Sequence, residues 1–483
     1  MEFNFSIDKK AIDARVKNEL LLAHSWRNRF HIEMPFGLIN DPNGLSFYED
    51  AYHIFYQWNP YGCEHKNKCW AHVKTRDFIH YTVPELALWP SDAFDKNGCY
   101  TGCAYVEGDK LHVVYTGNVK NEKNERRSYQ RMGTLQADGT INKERVLIAQ
   151  QPKGYTDHFR DPYVFTRDKE KYMLLGCQSL EKKGGVVLYH RVDGEWVFVS
   201  ALKTALGDFG YMWECPNLLQ FRRQDVLFFS PQGIEAEEYA YQNRYQSGYI
   251  VGGLNTKTAE FAHGDFAETD RGFDFYAPQV FTHEGRNILI GWIGMPENEA
   301  EYPTAEKGWI YSLTMPRTLT LRDDHIYAEP VKEVRDLRMK VMQEIDAENV
   351  ETIHAILPRE AEILLNIELG KAAKLTLDVL FSEEKVVFLY DAVKQVMTID
   401  RRGMQLGGHG VRRFRLAAEE HMQLRIFLDH TVIELFCQYG EETATLMVFP
   451  KKGYMPELRL AADDILPHVT GTIWKLGGIV YKV

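Results

Sequence analysis

The sequence predicts an all-β protein, a five-bladed β-propeller followed by a C-terminal β-sandwich. Three observations predict it. First, five short runs rich in aliphatic and aromatic residues recur along the chain: Tyr52–Tyr56, Leu111–Tyr115, Tyr172–Leu175, Val226–Phe229 and Ile288–Trp292. Each reads as a buried strand, and the spacing of roughly 55–60 residues approaches that of a four-stranded blade. Second, about ten residues before each run, a hairpin length away, lies a matched element. In order these are Asp41-Pro42, Thr101-Gly102, Asp161-Pro162, Glu214-Cys215-Pro216 and Ala277-Pro278. Third, from Thr352 onward the pattern changes to short alternating strands separated by polar turns, which argues a sandwich.

The elements follow in order. Ser6 is placed to cap a helix from about Asp8 to Ala23, with Ile12, Val16 and Leu20 on one apolar face. It is expected to pack on the outside of the propeller. Asn40-Asp41-Pro42-Asn43-Gly44 lies between the apolar runs Phe36–Ile39 and Leu45–Tyr48 and reads as a tight turn holding an acid between strands. The five units then run to about Leu321. A linker with a short helix is expected from Arg322 to Asn349. Sandwich strands are expected at 352–357, 363–369, 375–381, 386–390, 423–428, 432–436, 446–449 and 473–480. The division is therefore 1–26 helical extension, 27–325 propeller, 326–349 linker and 350–483 sandwich.

The innermost strands of a propeller ring a central channel, so matched residues of five blades face one funnel. Three of the five matched residues are carboxylates: Asp41, Asp161 and Glu214. Three acids around one funnel cannot all ionise normally, because like charges raise one another's pKa. Asp41 can take hydrogen bonds from the backbone and Asn40, which favour a carboxylate. Glu214, between Trp213 and Cys215-Pro216, sits in a drier setting that favours the protonated acid. Asn40, Gln57 and Thr101 are candidates to bind hydroxyl groups. Aromatic residues near the funnel, among them Trp70, Tyr100 and Trp292, are candidates to face a sugar ring.

The 483 residues are too many for one ordinary core, which predicts two domains. A net charge of −11 disfavours nucleic acid or an anionic membrane as partner. No stretch approaches the ~18 apolar residues of a membrane span. Residues 1–10 lack the basic and apolar regions of a signal peptide, and seven scattered cysteines suit a reducing compartment. The expected location is the cytoplasm, the expected state a monomer or homodimer. Cys63, His65, Cys69 and His72 form a Cys-x-His-x3-Cys-x2-His cluster whose alternating order fits a zinc site poorly; no metal and no cofactor are expected.

Asn40-Asp41-Pro42-Asn43-Gly44, Phe159-Arg160-Asp161-Pro162 and Trp213-Glu214-Cys215-Pro216 resemble the three signature motifs of glycoside hydrolase family 32. Shorter stretches agree: Tyr56–Pro60, Tyr115–Gly117, Asp274–Gln279, Met315–Arg317, and Ile426–His430 followed by Ile433–Phe436. The chain departs from the family at Trp70-Ala71-His72, often Trp-Gly-His, and at Tyr100–Cys103, often Phe-Ser-Gly-Ser. The resemblance implies a propeller joined to a sandwich and a retaining β-fructofuranosidase. It makes Asp41 the nucleophile, Glu214 the acid and base, and Asp161 the transition-state stabiliser with Arg160 beside it. Tyr155–Pro162 and Gly210–Pro216 look most like the sucrose-6-phosphate hydrolase branch. The resemblance leaves open a fructan exo-hydrolase, a fructosyltransferase and, in a different class, a non-catalytic sugar-binding propeller. A phosphorylated sugar would need basic residues at the funnel mouth. Lys120, Lys123, Arg126 and Arg127 after the second blade, and Lys307 near the end of the fifth, are the candidates.

Overall fold

The computed structural model describes residues 7–20, 22–418, 420–451 and 454–482. The chain is all-β, with a propeller-like arrangement of small sheets and a C-terminal β-sheet domain. One α-helix, Lys9–Glu19, precedes the first strand. Its N-cap is Asp8, whose carboxylate accepts from Ala11 N–H at 3.1 Å; Ser6 lies outside the described residues. The helix ends at Glu19, short of Ala23. Val16 is buried against the neighbouring core with Ile12 and Leu20 partly covered, and Asp13 accepts from Leu86 N–H at 2.9 Å. That bond fixes the helix to the outside of the first sheet.

Each of the five sequence units forms an antiparallel sheet. Four of these sheets have four or five strands. The first is a seven-stranded composite, so four sheets have the size of a propeller blade where the sequence predicts five. Two strands from far along the chain join it. Trp309–Ile310 pairs parallel with Gly37 and Leu38, and Val480–Lys482 pairs parallel with His80–Thr82. A ring of sheets closes by pairing its ends, and this pairing removes an exposed edge.

The first strand of every unit carries a bulge, two residues facing one on the partner strand. The pairs are Asn40/Asp41 facing Gln57, Tyr100/Thr101 facing Thr116, Asp161/Pro162 facing Leu175, Cys215/Pro216 facing Phe229 and Ala277/Pro278 facing Gly291. Proline cannot donate to a ladder and is tolerated at a bulge. Asn40–Gly44 is accordingly no turn: it lies within one strand, Gly37–Tyr48. The basic cluster at 120–127 is the hairpin between the second and third strands of the second sheet, not a loop after it.

The expected linker is mostly regular structure. His325–Pro330 is the last strand of the fifth sheet, Lys332–Leu337 is a 3-10 helix, and Arg338–Ile356 is a strand. It pairs along its length with Glu457–Leu476, and these two long strands join the ten-stranded C-terminal sheet. Strands Val396–Gly403 and Val411–Arg415 were not expected; Asp400, Arg401, Arg402, Arg412 and Arg413 break their apolar alternation. Residues 473–480 do not form one strand: it ends at Leu476, and the chain returns to the first sheet at Val480.

One core runs from the first and fifth sheets into the C-terminal domain, through Phe427, Val432, Phe436, Met447 and Phe449. Buried charges cross the same boundary. His31 bonds Asp429 and Glu434, each at 2.9 Å. Arg317 donates to Glu434 at 2.6 Å and to Asp270 at 3.0 Å. Arg401 donates to Asp274 at 2.6 Å. Burying these ions is costly unless each is paired, and each is.

Candidate active site

The bulges set the site. A bulge turns successive side chains toward one face, so strict in-and-out alternation is lost there. The three acids therefore do not stand at equivalent positions, contrary to the shared offset read from the sequence. Asp41 is the second residue of its bulge, Asp161 the first, and Glu214 precedes its bulge. All three line one cleft of about 430 Å³. Asp161 and Cys215 hold φ of 65° and 49°, a left-handed backbone unusual for residues with a side chain. Gly102 lets the first strand of the second sheet approach its neighbour: a Cβ there would sit 2.0 Å from the Val114 carbonyl oxygen.

Asp41 is held from two sides. Asn40 Nδ2 donates to Oδ1 at 2.9 Å, and the Thr101 hydroxyl donates to Oδ2. Gln57 ties the group together, donating to Thr101 Oγ1 at 2.5 Å and accepting from Asn40 at 3.0 Å. The Lys68 ammonium donates to Asn40 Oδ1, which fixes the amide with its NH₂ toward Asp41. Lys68 also meets His65 Nδ1 at 2.8 Å, and His65 Nε2 lies 2.6 Å from Glu299. Burial pulls Lys68 down to about 7, against the pull of Asp41 and Glu299.

Glu214 has four donors. Arg160 Nε and Nη2 reach Oε1 at 2.9 and 2.6 Å, while Gln232 Nε2 and the Tyr276 hydroxyl each reach Oε2 at 2.7 Å. Burial alone would raise Glu214. Arg160 and the Tyr276 hydrogen bond outweigh it and hold the carboxyl below its usual range. This reverses the sequence reading, in which a dry Glu214 held the proton. The group pushed up is Asp161, lifted to about 7 mainly by burial, with the charges of Glu214 and Asp41 adding to it against Arg160. Asp161 Oδ2 accepts from Cys215 N–H at 3.0 Å and lies 3.9 Å from Arg160 Nε. Cys215 Sγ is 3.9 Å from Asp41 Oδ2 and 3.8 Å from Asp161 Oδ2. Burial between these carboxylates pushes its thiol well up, so it stays neutral.

The cleft gathers Asn40, Asp41, Gln57, Tyr100, Thr101, Arg160, Asp161, Glu214 and Trp292. Trp70 does not line it. Its ring is buried 5.9 Å from Phe55 and 6.0 Å from Tyr115, and its Nε1 donates to the Tyr100 carbonyl at 3.1 Å, so it supports Tyr100 from behind. Of the basic candidates only Arg126 lines the cleft; Arg127 turns out toward Tyr129, and Lys307 is exposed. Of the Cys63–His72 cluster, Cys63 and His65 line the cleft, whereas Cys69 and His72 are buried and do not. His72 stacks on Phe55 and bonds His53 at 3.0 Å, while His65 faces the cleft.

Sequence reasoning missed Tyr276, Gln232, Lys68, His65 and His158. Tyr276 was within reach: like Glu214 it stands two residues before the proline of its matched element. Gln232, from the partner strand, carried no such signal.

Comparison with known proteins gives the lineage. Residues 31–330 match the model of the glycosyl hydrolases family 32 N-terminal domain, and residues 333–473 that of the family's C-terminal domain. A sucrose-6-phosphate hydrolase from Bacillus subtilis is 37% identical over 442 residues, covering 88% of this chain and 90% of that protein. The solved structure of a sucrose-6-phosphate hydrolase from Lactobacillus gasseri superposes with a TM-score of 0.88 at 29% identity, covering 98% of this chain and 97% of that one. A β-fructofuranosidase from Bombyx mori, solved as a mutant with sucrose, gives 0.86 at 29% identity, covering 98% and 99%. With both of the family's domains matched in order along a chain that carries its three acidic motifs in one cleft, this protein belongs to glycosyl hydrolase family 32.

Proposed function

We propose that the protein is a retaining β-fructofuranosidase that hydrolyses sucrose 6-phosphate and sucrose, releasing fructose. Asp41 attacks the anomeric carbon of the fructosyl unit, and Glu214 protonates the leaving oxygen and then activates water. Asp161 stabilises the transition state through the fructose hydroxyls. The observation that carries this reading is the split environment of the acids. Asp41 is fixed by Asn40 and Thr101 on one wall, and Glu214 is fixed by Arg160, Tyr276 and Gln232. A nucleophile and an acid need such separately oriented carboxylates. The matched relatives' names supply the substrates: sucrose 6-phosphate in two bacterial proteins, sucrose in the silkworm complex.

The reading extends to architecture and place. The seven-stranded sheet counts as one blade of five, supported by the bulge it shares with the other four. The C-terminal sheet folds over its own core as a sandwich, supported by the buried cluster from Leu357 to Ile473. The boundary between the two falls near 331–337. The enzyme acts in the cytoplasm on a small sugar, as a monomer or homodimer; no helix of the described residues is long and apolar enough to cross a membrane. The test is a reaction panel of sucrose, sucrose 6-phosphate, raffinose and inulin with products identified. Fructose from the two sucroses is expected. A protein that binds these sugars and releases no fructose would overturn the reading.

A further inference from the structure

Three cations line the cleft: Lys68, Arg126 and Arg160. Two are already committed. Lys68 is bonded to Asn40 and His65, and Arg160 to Glu214 and His158. Arg126 is different. Among the described residues no carboxylate or carbonyl accepts from its side chain; the guanidinium instead lies 5.5 Å from the Tyr100 ring centre. Strand geometry explains its direction. Arg126 opens a strand opposite Lys120, and the next residue, Arg127, is turned to the outer face. The charges of Arg160, Glu214 and Asp161 all act on Arg126, so it stands on the Glu214 side of the cleft.

His158 completes this corner. Arg160 Nη1 lies 3.0 Å from His158 Nδ1. A guanidinium only donates, so Nδ1 is the acceptor and the ring hydrogen sits on Nε2. Burial, with Arg160 and Arg126 beside it, pushes His158 down to about 4, so the ring is a neutral donor at ordinary pH. The corner thus offers a guanidinium fork without an acceptor and an imidazole N–H. A phosphate monoester accepts from both, and bidentate Arg–phosphate pairing is among the stronger polar contacts. Elsewhere the cleft carries Asp41, Glu64, Glu297 and Glu299, which repel a dianion.

We propose that Arg126 and His158 seat the phosphate on the leaving, glucosyl half of the substrate, and that Arg126 sets the preference for the phosphorylated sugar over plain sucrose. This rests on the β-fructofuranosidase reading, because Glu214 marks the leaving-group side only if it is the acid. Lys120, Lys123, Arg127 and Lys307 are left out of the site.

The test compares kcat/KM on sucrose 6-phosphate and on sucrose. It uses the unmodified enzyme, Arg126→Gln, Arg126→Lys and the outward-facing Arg127→Gln. Losing charge-assisted bonds to the phosphate should lower the sucrose 6-phosphate to sucrose ratio roughly tenfold to a hundredfold in Arg126→Gln. Arg126→Lys keeps the charge without the fork and should lose less; Arg127→Gln should leave both constants unchanged. A second measurement needs no variant: glucose 6-phosphate should inhibit sucrose hydrolysis at least roughly tenfold more strongly than glucose. A ratio unmoved in Arg126→Gln overturns the proposal. So does equal inhibition by glucose 6-phosphate and glucose. Neither result touches the β-fructofuranosidase reading, which fails only if the unmodified enzyme frees fructose from neither sugar.

Discussion

His31→Gln tests the clamp between the two domains. His31 is fully buried, with Asp429 on Nδ1 and Glu434 on Nε2. Burial alone would lower its pKa, but the two carboxylates raise it from 6.5 to about 9. A folded-state value above the unfolded one means that the protonated ring stabilises the fold. That contribution is fully present below about 6.5, falls as pH rises, and is gone above about 9. A rise of about 2.5 units at about 1.4 kcal/mol each makes it about 3 kcal/mol. The raw stability curve of the unmodified protein does not isolate it. Lys68, held down to about 7, has the opposite sign and adds stability as pH rises toward its ordinary value. The difference between unmodified protein and variant removes that background. Urea unfolding followed by the fluorescence of the nine tryptophans, at pH 6 and pH 9.5, measures it. The destabilisation caused by His31→Gln should shrink by about 3 kcal/mol between the two pH values. A destabilisation equal at both would mean that His31 is neutral in the fold and the charge argument is wrong.

Three further outcomes are expected. Tyr276→Phe removes a donor to the Glu214 carboxylate, so the Asp161–Glu214 pair should hold its shared proton more tightly and the alkaline limb of kcat/KM on sucrose should move to higher pH; a limb that moves down contradicts the reasoning. Arg317→Met strands Asp270 and Glu434 in the interface and should cost roughly 3–5 kcal/mol of stability in urea unfolding. A loss below about 1 kcal/mol would mean that the surrounding hydroxyls and His31 suffice. Double displacement at Asp41 retains configuration, so NMR of the first fructose released should show the β-anomer; initial α-anomer would exclude the covalent route.

The strands and their spacing were legible because burial writes a pattern of aromatic and aliphatic runs, and five such runs at even spacing leave few architectures. The bulges were not. Asn40–Gly44 has turn composition, and only the pairing of Pro42 with Tyr56 and of Asn43 with Phe55 shows that the strand continues through it. The same limit made the three acids look equivalent when they sit one residue apart in the bulge frame. The proton on Glu214 was misplaced for a related reason. Its sequence neighbours Trp213 and Cys215 describe a dry site, but the groups that decide its charge, Arg160, Gln232 and Tyr276, come from other strands and other sheets. Trp70 failed similarly: an aromatic in a motif says nothing of which face it turns to. Long-range polar contacts leave little trace in local composition.

The open cleft poses a question of proton placement. Under the proposed roles Glu214 carries a proton when sugar is bound, yet three side chains favour its carboxylate and the group lifted to about 7 is Asp161. The answer lies in what the sugar does to Asp161. Fructose hydroxyls that donate to Asp161 favour its charged form and lower its pKa. Arg160 lies 3.9 Å from Asp161 and 2.6 Å from Glu214, so the two acids share one guanidinium. As Asp161 becomes charged, its field adds to the desolvation of Glu214 by the bound sugar, and both raise the Glu214 pKa. The proton then belongs to the pair, not to either residue. Under those roles, Arg160 is the group through which one carboxylate senses the other.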